Sequence, residues 1–165
     1  MRPVHLIVYG VAAPQGSKRH VGGGRMVESS KALKPWRESV AHAAQVWCLQ
    51  HRGFAPFDEP LVLTVTFYLP RPASTPKRVT RPAKKPDLDK LTRAVCDALS
   101  GIIYADDARV VRLVAEKRFA IDEPPRAEIT IAPIGAEGER EWVGSKIARS
   151  AATRLRHSAR KNDSA

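Results

Sequence analysis

The segment from Leu61 to Leu69 constrains the fold more than any other part of the chain. It reads LVLTVTFYL, in which every second residue is apolar and the residues between them are β-branched or aromatic. Alternate side chains of a strand point to opposite faces, so this pattern predicts a β-strand with one face on a core. The residues expected on that face are Leu61, Leu63, Val65, Phe67 and Leu69.

The segments around this strand alternate between helical and strand periodicity, which predicts an α+β fold. We expect one domain with a small mixed β-sheet and two main helices packed on it. The predicted helices run from Ser30 or Lys34 to His51 and from Asp87 to Ser100. The other predicted strands are Val4–Val11, Arg109–Ala120 (with Val111, Leu113, Ala115 and Phe119 on one face) and Arg126–Ala132, and Ala12–Lys31 is expected to be a loop.

The chain length of 165 residues suits one domain. Residues 1–134 are expected to form it. Residues 135–165 are polar and rich in Ala and Arg, which predicts a basic C-terminal extension, helical or disordered.

Charge is the second constraint, because 28 Lys and Arg against 17 Asp and Glu give a net charge of +11. Such a surplus favours polyanionic partners, most often nucleic acid, with a solubilising surface or binding to anionic lipid as the alternatives. No apolar run approaches the roughly 20 residues of a membrane span, and the N-terminus lacks a secretory signal. We therefore expect no membrane partner and a cytoplasmic protein. Cys48 and Cys96 lack metal-ligand spacing and are expected to be reduced thiols in helices.

Two basic segments are candidates for DNA contacts. The Pro-rich connection Pro70–Pro86, which we call the arm, has no acidic residue, and a connection of this length is usually functional or disordered. The glycine-rich stretch after the first strand is either a flexible surface loop or a second phosphate-contacting segment. The candidate DNA-binding residues are Lys18, Arg19, Arg25, Arg71, Lys77, Arg78, Arg81, Lys84, Lys85 and Lys90.

The aspartates around the second helix are the candidate chemistry. Asp87 and Asp89 stand at its start, where they can act as an N-cap and a first-turn charge. In extended or cap backbone, however, both carboxylates can face one point, and a return of the chain after Gly101 would bring Asp107 to them. Three carboxylates suit Mg²⁺, with Mn²⁺ as an alternative ion, and such a site hydrolyses phosphodiesters.

The segment from Lys85 to Val110, KPDLDKLTRAVCDALSGIIYADDARV, resembles the signature of the RusA family of Holliday junction resolvases. The opening strand, the Pro/Gly/basic loop and the stretch Lys34–Arg37 are also similar to the family. The resemblance implies a small homodimeric, Mg²⁺-dependent endonuclease of phage or prophage type. It would resolve four-way junctions by paired nicks, in recombination, repair or phage DNA processing.

The resemblance assigns the metal ligands to Asp87, Asp89 and Asp107, with Asp106 in support and Asp97 in a structural role. Two positions depart from the family: Lys90 replaces the usual Asn, and Arg93 replaces the usual catalytic lysine. Arg93 can clamp a phosphate but cannot transfer a proton. The alternative is therefore a junction-binding module with weakened catalysis. A D-x-D sugar-nucleotide transferase is disfavoured by the positive charge, and the five histidines lack the spacing of HNH nucleases.

Overall fold

The residues described by the computed structural model are 3–16, 18–20, 26–28 and 31–135. They form six strands, two α-helices and a single 3₁₀ turn. In chain order these are β1 (Val4–Tyr9), β2 (Lys18–His20), β3 (Met26–Glu28), α1 (Leu33–Gln50), β4 (Leu61–Pro70), α2 (Leu88–Leu99), the 3₁₀ turn Asp107–Arg109, β5 (Val110–Ala120) and β6 (Arg126–Pro133).

The main sheet has the strand order β1-β6-β4-β5. β4 pairs in parallel with β5 and antiparallel with β6, so the sheet is mixed. The predicted α+β fold, with two helices on a small mixed sheet, is confirmed. β4 is an interior strand, and the five residues predicted for its apolar face are all buried.

Both helices pack on the sheet and on each other. α1 contacts β1 and α2, and α2 contacts β5. Trp36, Val40 and Ala44 form the buried stripe of α1, at the spacing expected for one helix face. Leu91, Val95 and Leu99 do the same on α2 and are fully buried. The two α-helices are not apolar enough to be membrane spans, and this holds for every helix among the described residues.

Two expectations about the elements were wrong. The segment Ala12–Lys31, predicted as a loop, contains the antiparallel hairpin β2–β3, whose three-residue strands are too short for a periodic pattern to emerge. In β5, Val111 and Leu113 are 63% and 51% exposed instead of facing a core. β5 is the outer strand of the sheet, and its pairing with β4 shifts register between Leu61 and Val62. Residues 136–165 lie outside the described part, so the basic extension stays a prediction.

Candidate active site

Asp87 occupies the N-cap position of α2 but does not cap the helix with its side chain. Its backbone is extended, with φ −71° and ψ 136°, and no capping hydrogen bond from its carboxylate is found among the described residues. The Oδ2 atom instead lies 3.0 Å from Nζ of Lys90. The predicted N-cap position of Asp87 is therefore confirmed, but its side chain makes no capping bond to the described residues, and the carboxylate lies at the surface of the first turn.

Lys90 places a positive charge beside Asp87 and within electrostatic reach of Asp89. Its hydrogen bond to Asp87 holds the pKa of Asp87 below its usual range, and the same bond raises the pKa of Lys90. The charge of Asp89 acts on Lys90 in the same direction. The first turn of α2 therefore carries two acids and one ammonium group within electrostatic reach of each other.

Arg93 is exposed one turn further along α2, and Asp89 is exposed as well. Residues four apart lie on one helix face, so Arg93 and Asp89 are neighbours on the surface. Asp97 follows one turn further along α2, but it is in contact with α1. Its carboxylate lies 3.8 Å from Arg37 of α1, and its carbonyl oxygen accepts a bond of 3.5 Å from the same side chain. Asp97 links α1 to α2, in line with the structural role expected for it.

Asp106 and Asp107 differ in what they do locally. Asp106 caps the 3₁₀ turn, because its Oδ1 accepts a 2.8 Å hydrogen bond from the backbone N–H of Ala108. Asp107 is exposed at the first position of that turn. Its charge reaches the C-terminal half of α2. Burial, with Asp107 as the second cause, raises the pKa of the Cys96 thiol to about 11.

The structure does not bring Asp107 to Asp87 and Asp89 within one chain. The 3₁₀ turn packs near the end of α2 that is remote from Asp87, and a helix of 12 residues is about 18 Å long. In the described part of the chain, no three His, Cys, Asp or Glu side chains are grouped closely enough to hold a metal. The expected return of the chain before Asp107 was wrong. The three acids of a single chain therefore do not fit a metal site.

The chain does turn back toward the start of α2, but it does so in β5, after Asp107. It runs back along α2, and Lys117 reaches the N-terminal end of the helix. Nζ of Lys117 donates to the carbonyl oxygens of Lys84 and Pro86, at 3.0 and 2.9 Å. Lys117 thus fastens the end of the arm just before Asp87. Sequence reasoning missed this residue, because only the parallel register of β4 and β5 brings it there.

The arm also contacts the opposite face of β5. Arg81 lies 3.2 Å from Glu116, and neighbouring side chains of a strand point to opposite faces. The arm therefore passes the outer edge of β5 at Glu116 and Lys117. Burial raises the pKa of Glu116, but the hydrogen bonds and charges of Arg118 and Arg81 outweigh it and lower the pKa overall.

The predicted DNA-binding residues of the arm fall into two groups. Arg71 donates to the carbonyl oxygen of Pro76 at 2.9 Å and lies over the ring of Phe119, and Arg81 is paired with Glu116. Arg71 thus contacts both the arm and β5, and Arg81 joins the arm to β5. Lys77, Arg78, Lys84 and Lys85 form the second group and are exposed, as Arg81 is. They give the surface before Asp87 its positive charge.

The loop after β1 also reaches α2. The backbone N–H of Gln15 donates to the carbonyl oxygen of Lys90 at 3.0 Å. Three residues of chain span at most about 11 Å, so β2 begins close to the first turn of α2. The side chains of Lys18 and Arg19, and all of Arg25, lie outside the described residues. Their predicted DNA contacts stay predictions.

Cys48 and Cys96 are free, half-buried thiols on the two helices, as expected.

Comparison with known proteins identifies the family. Residues 9–132 match the family model described as Endodeoxyribonuclease RusA. The chain is also 32% identical over 146 residues to the uncharacterized protein YqaN of Bacillus subtilis (strain 168), an alignment that covers 81% of this chain and 98% of that protein. This chain belongs to the RusA endodeoxyribonuclease family. The family supports a nuclease that acts on DNA junctions, and it gives no support to a sugar-nucleotide transferase.

Proposed function

We propose that the protein resolves four-way DNA junctions as a homodimer, with each active site shared between two subunits. Asp87 and Asp89 would come from one subunit and Asp107 from the other. The observation that carries this proposal is the separation of the acids along α2, about 18 Å long, in a member of a nuclease family. Paired nicks in a two-fold symmetric junction also favour a two-fold symmetric dimer.

The outer edge of β5 supports a place for the dimer contact. Val111, Leu113 and Val114 are 63%, 51% and 44% exposed along this strand. An outer strand with apolar side chains offers unpaired backbone groups to another strand. The second half of β5 is half-buried, because the arm passes it there. The exposed stretch is thus limited to the N-terminal half.

Antiparallel pairing of two β5 strands would complete the set of acids. If the two-fold axis lies near Leu113, the partner subunit's 3₁₀ turn falls against the part of the arm that passes Glu116 and Lys117. Paired strands are about 4.8 Å apart. Because Lys117 is bonded to the carbonyl oxygen of Pro86, the partner subunit's Asp107 would approach Asp87.

Asp87 and Asp89 with the partner's Asp107 are the residues that would hold Mg²⁺, or Mn²⁺ in its place. A divalent ion supplies charge for the phosphoryl oxygens and lowers the pKa of a bound water. Arg93, on the same face as Asp89, is suited to hold a phosphate oxygen by paired hydrogen bonds. The exposed lysines of the arm would bind the flanking backbone.

Mixed dimers test the shared site directly. Asp89→Asn and Asp107→Asn are each expected to abolish cleavage of a synthetic four-way junction. Mixing the two variants creates dimers in which one site carries both changes and the other carries neither. Recovery of single-strand nicking in the mixture would support the shared site. No recovery, in a mixture shown to have exchanged subunits, would contradict it.

The dimer contact is tested with a second pair of variants, one on each outer strand of the sheet. Leu113→Glu is expected to give monomers in sedimentation and to lose cleavage. Ile7→Glu is the matched control, since Ile7 is 56% exposed on β1, the other outer strand. A dimeric Leu113→Glu variant would contradict the role of β5.

A second function is favoured by the Lys90–Asp87 pair. A lysine that already neutralises one proposed ligand would weaken cation binding, and the protein would then bind junctions without cutting them. Junction binding with no Mg²⁺- or Mn²⁺-dependent product, at any ion concentration, would select this alternative.

A further inference from the structure

A cavity of about 500 Å³ lies between the arm and the end of the sheet. Leu69 and Phe119, at the ends of β4 and β5, contribute its apolar floor. Val79 and Pro82 of the arm contribute the wall opposite. A volume of this size falls within the range of about 300–1,000 Å³ that is usual for sites of small organic groups.

The rim of the cavity is basic and leads to the candidate active site. Lys84 and Lys85 line it and are exposed. Pro86 lines it as well, and the next residue is Asp87. A phosphate bound near Asp87 would therefore be within about one or two nucleotides of the cavity mouth, since adjacent nucleotides of a strand rise about 3.4 Å.

We propose that this cavity receives an unstacked nucleobase of the bound junction, from a nucleotide next to the phosphate that is cut. The inference rests on the proposed function. A nucleotide has a flat, largely apolar base and an anionic phosphate, and the cavity offers an apolar interior beside a basic rim. Bases stack on apolar and aromatic side chains with little regard to sequence.

Junction DNA is the substrate from which such a base is most easily taken. Unstacking a base costs least where regular pairing is already broken, as it is at a branch point. The cavity would thereby add selectivity for branched over linear DNA, because a base in an intact duplex must first be extruded. The other occupant to consider is an apolar side chain of a partner protein.

The contacts of the arm give this cavity a defined shape. Arg71 lies with its guanidinium carbon 5.4 Å from the centre of the Phe119 ring and donates to the carbonyl oxygen of Pro76. Lys117 holds the other end of the arm through Lys84 and Pro86. The cavity is therefore bounded by a segment that is bonded to the sheet at both ends.

A variant that fills the cavity distinguishes binding of a base in the cavity from binding of DNA to the basic surface. Ser74 lines the cavity and is exposed, so Ser74→Phe can fill part of it without removing a charge. Ala73 is exposed and lies outside the lining, which makes Ala73→Phe the matched control. Thermal unfolding of both variants checks that each is folded.

The experiment compares four-way junctions that are complete with junctions lacking a single base, placed in turn at each nucleotide next to the cut. At one position, loss of the base is expected to weaken binding by the unaltered protein and by Ala73→Phe about tenfold. The same loss should have no effect on Ser74→Phe. 2-Aminopurine at that position should become severalfold more fluorescent on binding, except with Ser74→Phe.

Equal penalties for the missing base in all three proteins would overturn the cavity proposal, as would the absence of any penalty. Such a result is distinct from failure of the proposed function. If the unaltered protein neither prefers nor cuts the complete junction, the proposed function fails, and the cavity proposal fails with it. If it cuts the complete junction and only the base effect is missing, the cavity proposal fails alone.

Discussion

The two ends of α2 both carry aspartates, but the surroundings of these aspartates differ. At the C-terminal end, Asp97 is paired with Arg37 of α1, and Asp106 caps the 3₁₀ turn. At the N-terminal end, Asp89 is exposed, and the ion-pair partner of Asp87 among the described residues is Lys90, in the same turn. Acids that hold elements together are thus distinguishable from acids that remain available to a ligand, although the sequence presents them alike.

The largest expected difference between the two ends is in catalysis. Asp89→Asn should lower junction cleavage on the order of a hundredfold or more, because a catalytic metal supplies several kcal/mol of transition-state stabilisation. Asp97→Asn, on the same helix face, should leave cleavage nearly unchanged. It should lower the free energy of unfolding by no more than about 1 kcal/mol, since the Arg37 pair is partly exposed.

Single-turnover cleavage of a labelled four-way junction and urea unfolding measure the two effects. Equal losses of cleavage in the two variants would remove the distinction between the ends of α2.

The next effect concerns cation affinity at the N-terminal end. Lys90→Asn removes the ammonium beside Asp87 and introduces the residue that the resemblance to the family implies at this position. Mn²⁺ binding, followed by electron paramagnetic resonance, should tighten roughly fivefold, since a positive charge no longer lies beside a carboxylate that would hold the cation.

Lys34→Asn is the control for this change, because Lys34 forms an exposed helix pair with Glu38 at 3.9 Å. It should not alter Mn²⁺ binding. If Lys90→Asn binds Mn²⁺ no better than the unaltered protein, Lys90 does not compete for the carboxylates.

The smallest expected effect is on the attachment of the arm. Lys117→Met removes two hydrogen bonds from an ammonium group to carbonyl oxygens. The free energy of unfolding should fall by about 0.5–1 kcal/mol, because the contact is partly exposed to solvent. Proteolysis within the arm should become faster, whereas Lys77→Met, on the exposed part of the arm, should have neither effect. Unchanged proteolysis in Lys117→Met would show that other contacts hold the arm.

The elements that sequence reasoning predicted well are those whose burial is encoded locally. The alternation in Leu61–Leu69 and the helical spacing in α1 and α2 both correspond to buried faces. The β2–β3 hairpin was missed because strands of three residues contain too few positions for a pattern. The exposure of Val111 and Leu113 could not be predicted, because the sequence does not show whether an apolar side chain is covered by its own chain or by a partner.

The sequence placed the candidate residues on their elements but did not predict how those elements meet. The D-x-D pair, its place at the start of α2 and the basic arm before it were all readable from the sequence. Lys117 was not, because it lies 31 residues from Pro86 along the chain and their contact depends on the register of β5 against β4. The same register sets Asp107 near the opposite end of α2.

By itself, the sequence determined the two helices, the longer strands, the charge and the family, because periodicity and motif spacing are properties of neighbouring residues. Only the tertiary structure decided which ends of those elements meet. The physical reason is that the spacing of apolar side chains sets which face of an element is buried. Pairing between distant strands sets which residues of one element lie beside which residues of another. The separation of Asp107 from Asp87 and Asp89 follows from that pairing.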